Sequence, residues 1–148
     1  MSEPRPAHVP PSAPSGAPRL AYESDGTAVY WILYYVLLVT RRRRPFFESP
    51  AMKARCEALL AEAATATGCT LVAREVSPSS AILQITCPPT LSPHNAVIRI
   101  RRTVSAALAE EFDEIRRAKV AFGRPYMITT VPVPETELAG VEASMSRQ

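Results

Sequence analysis

The chain is poor in histidine, holding only His8 and His94 among its 148 residues. The two lie far apart and cannot form a close pair of metal ligands. Cysteine is scarce as well. Cys56, Cys69 and Cys87 are odd in number and lack the short spacings of a zinc site. They read as reduced, partly buried thiols of a cytoplasmic protein. No tyrosine follows Tyr126. The longest apolar run, 28–39, would rise only about 18 Å as a helix, short of a bilayer core of about 30 Å. Its aromatic and β-branched content suits a strand instead. The start of the chain is proline-rich and lacks the basic stub and apolar block of a secretory signal.

What is present is an ordinary apolar fraction of 47% and a modest net charge of +3. The cations are unevenly placed, in an unbroken run from Arg41 to Arg44 and in clusters around Arg99–Arg102 and Arg116–Arg124. Such patches suit a polyanion. Residues 1–20 hold Pro4, Pro6, Pro10, Pro11, Pro14 and Pro18 and few large apolar side chains. They cannot bury enough surface to offset ordering entropy, so a disordered tail is expected there. Residues 21–148 are expected to form one domain.

Val29–Val39 reads as one long strand. Its lack of alternation implies cover on both faces and hence a central position. Ser49 and Pro50 mark a helix start, with Met52, Cys56, Leu59, Leu60 and Ala63 on its apolar stripe and Gly68 closing it. Strands are expected near Thr70–Val76 and Ala81–Cys87, joined by a tight turn at Ser77–Ser79. Ser92 and Pro93 open a second helix that buries Val97, Ile100, Val104, Leu108 and Phe112. Its Arg99 and Arg102 then point away from the core. Phe122–Pro125 reads as a turn, Tyr126–Val131 as a strand, and Glu135–Ser146 as a terminal helix with Leu138, Val141 and Met145 on one face. This order predicts an α+β ferredoxin-like βαββαβ sandwich with an antiparallel sheet and an appended C-terminal helix.

Four features resemble the single-tyrosine, HUH-type transposases of small bacterial insertion sequences. They are Tyr34–Pro45 with its basic run, Cys87–Pro93 with the helix that follows, Phe122–Met127, and the element order itself. The resemblance implies a homodimer that binds hairpins of single-stranded DNA, nicks beside them and forms a phosphotyrosine link. It places a metal-binding histidine pair at Ser80 and Ile82, and a tyrosine nucleophile near Ser144 or Val141. Neither chemistry is offered by the residues present. Ile82 has no lone pair and Ser80 alone is a poor ligand. A serine without a base or a metal is a weak nucleophile.

The reading from sequence is therefore a domesticated, nuclease-dead relative, not an enzyme, that binds structured single-stranded DNA or RNA as a regulator or adaptor. Arg41, Arg42, Arg43, Arg44, Arg99, Arg101, Arg102 and Arg124 are its candidate nucleic-acid contacts. Arg116, Arg117 and Lys119 are expected to form surface ion pairs with nearby acids. His94 is read as a surface residue. No cofactor and no metal are expected, and no membrane partner. The alternative is a dimeric protein-interaction module that reuses the fold without nucleic acid.

Overall fold

The computed structural model describes residues 22–146. The proline-rich tail expected over 1–20 lies outside them. A small hairpin comes first, pairing β1 (Glu23–Ser24) with β2 (Val29–Tyr30). Asp25 closes it by accepting the Thr27 and Ala28 N–H groups at 2.9 and 2.8 Å. These bonds favour the ionised form and hold its carboxyl below the ordinary value.

The sandwich follows as β3 (Leu33–Thr40), α1 (Pro50–Ala66), β4 (Thr70–Ser77), β5 (Ser80–Thr86), α2 (Pro93–Glu111), α3 (Asp113–Ala118), β6 (Phe122–Thr129) and α4 (Glu135–Ser146). The sheet order is β4-β5-β3-β6, and every neighbouring pair is antiparallel. This is the ferredoxin-like arrangement that the sequence predicts.

The start signals act as expected. Ser49 Oγ accepts the Met52 N–H at 3.4 Å, and Ser92 Oγ accepts the Asn95 N–H at 3.0 Å. At the far end of α1, Gly68 adopts φ +88° and lets the Cys69 N–H reach Ala64 O at 2.9 Å. That satisfies a terminal carbonyl in the left-handed closure a glycine permits.

β3 is an inner strand with different cover on its two faces. Val36 and Leu38 enter the main core with Cys56, Leu60 and Ala63 of α1 and Val97, Ile100 and Leu108 of α2. Leu37 and Val39 face the other way and meet Met145, Leu138 and Val141 of α4. Each fully buried side chain of this size contributes about 1.5–3 kcal/mol, so the larger face dominates stability. All three cysteines are buried and free. Burial beside Glu57 pushes the Cys56 thiol up to about 12.

Three expectations need correction. The expected strand Val29–Val39 is two elements, because β2 pairs with β1 and only Leu33 onward joins the main sheet. An unbroken apolar run has no period to mark a change of partner. α2 ends at Glu111, and Phe112 is half-buried in an extended conformation before the separate short helix α3. Phe122–Pro125 is no turn but the first half of β6. β6 is an edge strand, where a proline's missing N–H costs no ladder bond. The Gly123-Arg124-Pro125 stretch is a bulge, since Leu38 faces Tyr126 while Thr40 faces Phe122.

Candidate nucleic-acid interface

The Arg41–Arg44 run is held at both ends. Before it, Thr40 is buried at 2% exposure. Its N–H donates to Ser79 O at 3.0 Å and its hydroxyl donates to Arg44 O at 2.7 Å. After it, Phe46 and Phe47 are buried, and the Phe47 ring lies 5.9 Å from that of Phe122. The Arg41 N–H donates to Ala121 O at 3.0 Å. The loop is thus clamped to the sheet while Arg42, Arg43 and Arg44 stay exposed.

Arg42, Arg43 and Lys119 have positive φ values of 54°, 55° and 75°. Each such non-glycine residue costs about 1–2 kcal/mol. Backbone strain of this kind concentrates at functional sites. Among the described residues, the three non-glycine residues with positive φ are all cations at one end of the sheet.

Three depressions adjoin there. One of about 440 Å³ is lined by Thr40, Arg42, Arg43, Arg124 and Met145. The next, about 350 Å³, is lined by Arg41, Arg101, Arg102, Lys119 and Arg124. A third of about 150 Å³ lies among Arg41, Arg42, Arg44, Arg117 and Lys119. Shared lining residues make them one continuous cationic rim. Elements distant in sequence build it: the loop after β3, the middle of α2, the end of α3 and the β6 bulge.

The structure gathers all the sequence-predicted arginines here except Arg99, which is exposed on α2 but lines none of the three depressions. Sequence reasoning missed Arg117 and Lys119 by assigning them to ion pairs. Of that group Arg116 does pair, with Asp113, and also donates to Ala109 O at 3.0 Å. Glu111, one of the acids near them in sequence, instead meets Arg55 of α1 at 2.9 Å. On α4, Glu142 reaches Arg43 at 2.9 Å.

Arg101 stands apart from its neighbours. It is half-buried, and burial holds its guanidinium below the ordinary value, with Arg102 and Arg124 adding to the effect. Its Nη1 donates to Gly123 O at 3.2 Å and to Arg124 O. Its guanidinium carbon lies 5.9 Å from the centre of the Tyr126 ring. The Tyr126 hydroxyl is in turn 2.6 Å from His94 Nδ1. His94 is on the surface, as expected, but it also braces this tyrosine.

The face under α4 has the opposite character. Ser80 and Ile82 pair with Val39 and Leu37 in register, so all four point to one face of the sheet. Ile82 packs against the cluster of Leu37, Val39 and Met145, as do Met127, Leu138 and Val141. The residues do not fit a divalent metal at these two positions, because Ile82 presents only carbon and packs against Leu37, Val39 and Met145, although its cross-strand partner on β4 is Glu75. Val141 belongs to this packing and Ser144 is exposed. Among the described residues, no group of three or more His, Cys, Asp or Glu side chains converges. None of their helices is long and apolar enough to cross a membrane.

The fold is that of a transposase-like α+β domain. It is similar to the crystal structure of a protein from Deinococcus radiodurans R1 described as a transposase, with a TM-score of 0.71 and 19% identity over 85% of this chain and 97% of that one. It also matches a REP-associated tyrosine transposase bound to a REP hairpin, with a TM-score of 0.51 and 11% identity over 80% of this chain and 69% of that one. The family follows from the sequence: the model of IS200-like transposases matches residues 28–139, and the chain belongs to that family. No curated protein matches it.

Proposed function

We propose that this protein is a nuclease-dead, domesticated IS200-like transposase relative that binds structured single-stranded DNA or RNA as a regulator or adaptor. The cationic rim carries the reading. It presents Arg41–Arg44, Arg102, Arg117, Arg124 and Lys119 around connected depressions. Arginine forks suit bidentate contact with phosphate. A solved relative of the same fold is bound to a REP hairpin, which favours a hairpin as the ligand. Loss of nuclease chemistry is supported by the residues at Ser80 and Ile82, since Ile82 offers no donor atom and packs against Leu37, Val39 and Met145.

The test is a titration of hairpin single-stranded DNA, hairpin RNA and duplex at several salt concentrations, with an Arg41–Arg44→Ala variant alongside. Binding that weakens steeply with salt, with a slope lower by up to about 3 in the variant, is the expected result, at about 0.7 per phosphate contact. Absence of binding at low salt overturns the reading. Incubation of a labelled hairpin with Mg²⁺ or Mn²⁺ is expected to leave the strand uncut, and a protein-linked product would refute the loss of nuclease chemistry.

A homodimer is the proposed assembly. β4 lies at one edge of the sheet with most of its side chains exposed. Such edges invite pairing. Light scattering at micromolar concentration is expected to give twice the chain mass, and a monomer would remove this part of the proposal.

A further inference from the structure

The β6 bulge creates a local problem that Arg101 solves. A bulge takes backbone groups out of the sheet ladder and leaves them to find other partners. Here two extra residues separate the Phe122–Thr40 and Tyr126–Leu38 pairs. Arg101 Nη1 donates to the carbonyls of Gly123 and Arg124 inside that bulge. The guanidinium is half-buried and its carbon lies 5.9 Å from the centre of the Tyr126 ring, whose hydroxyl is 2.6 Å from His94 Nδ1. His94 and Arg101 lie seven residues apart on α2, so both stand on one face, two turns apart. The exposed Arg124 side chain is shared by two of the depressions and stands on the backbone that Arg101 holds.

We infer that Arg101 is a positioning residue rather than a phosphate ligand. It fixes the bulge so that Arg124 projects into the nucleic-acid interface, and Tyr126 and His94 hold Arg101 in place. This rests on the nucleic-acid reading of the rim. It separates the rim arginines into those that touch phosphate and one that aims another.

The experiment is a double-mutant cycle on binding of a hairpin single-stranded DNA, with thermal melting of each variant. Arg101→Lys keeps the charge, but its Nζ ends one bond short of the Nη1 position that serves both carbonyls, and it lacks the planar guanidinium beside the Tyr126 ring. It is expected to weaken binding as much as Arg101→Ala does, by about three- to tenfold, the range of one or two lost hydrogen bonds. In the Arg124→Ala background, Arg101→Lys is expected to change affinity by less than about twofold, since coupled residues are not additive. A direct phosphate ligand would behave otherwise. Arg101→Lys would then bind more tightly than Arg101→Ala, because its charge still attracts phosphate, and the two substitutions would add to Arg124→Ala; either result overturns the inference.

Tyr126→Phe covers the case in which Arg101→Lys does not fold, because it removes only the hydroxyl facing His94. It is expected to weaken binding in the wild-type background and not in Arg124→Ala. Equal weakening in both backgrounds, or none in either, rejects the relay. Failure of the wild-type protein itself to bind would reject the nucleic-acid reading, a result distinct from additivity among variants that do bind.

Discussion

The loop after β3 and the α4-covered face of β5 begin side by side, at Thr40 and at the Val39–Ser80 pair, yet they are built on opposite chemistry. The loop is charged, strained and exposed. Its cations have left-handed backbone at Arg42 and Arg43 and meet further cations from α2, α3 and β6. The face beside it is unstrained and covered by three apolar side chains of α4, with Glu75, Gln84 and Glu135 at its margin. Charge gathered against self-repulsion suggests an external anion that offsets the cost. Apolar filling needs no such partner, because it is its own stabilisation. The contrast sets a charged, open end of the sheet beside a face that α4 covers.

The largest expected effect falls on the charged side. Replacing Arg41–Arg44 with alanine should weaken hairpin binding by about 10²–10³ at moderate salt, the scale of several lost phosphate contacts. Thermal melting should show little change, because Arg42, Arg43 and Arg44 are exposed and the clamp uses Thr40, Phe46 and Phe47. A protein that bound as before would dissolve the contrast.

Leu37→Ala attacks the apolar side. Leu37 is fully buried against α4, so the change should cost about 2–5 kcal/mol in denaturant unfolding. Affinity per folded molecule should stay within about twofold if the two regions are independent.

Glu142→Gln tests the contact that joins them, the ion pair with Arg43 at 2.9 Å. The pair is only partly exposed, with Glu142 at 15% and Arg43 at 41%, and contributes on the order of 1 kcal/mol. The expected result is a small stability change and a slightly tighter hairpin complex, since a carboxylate no longer competes for Arg43. Weaker binding would mean that α4 organises the rim instead.

The smallest effect concerns Cys56 in the main core. Its thiol is pushed up to about 12 from an ordinary 9.0. Between those values the unfolded chain has lost a proton that the folded chain keeps, so this group lowers stability as pH rises through about 9 towards 12. Melting temperatures measured from pH 8 to 10.5 should fall less steeply in Cys56→Ala than in the wild type.

Much of the fold could be read from local signals. Ser49-Pro50 and Ser92-Pro93 start helices because capping is a short-range matter of one hydroxyl and one proline ring. The α4 stripe of Leu138, Val141 and Met145 was visible for the same reason, as helical spacing in a single segment. Phe122–Pro125 misled because glycine and proline mark irregular backbone without saying whether it is a turn or a bulge. Only pairing with β3 decides between them.

The site divides along the same line. The chain by itself determined that Arg41–Arg44 would be a dense cationic run and that Ser80 and Ile82 offer no pair of imidazoles, since residue identity is enough for both. The tertiary structure decided which other cations join that run. Lys119 and Arg117 enter the rim because α3 ends beside the β3 loop, whereas Arg99 lines none of the depressions although Arg101 and Arg102 do. It also decided that Arg101 turns inward to two backbone carbonyls. Charge is written residue by residue, but its direction is set by which backbone groups the packed sheet leaves without partners.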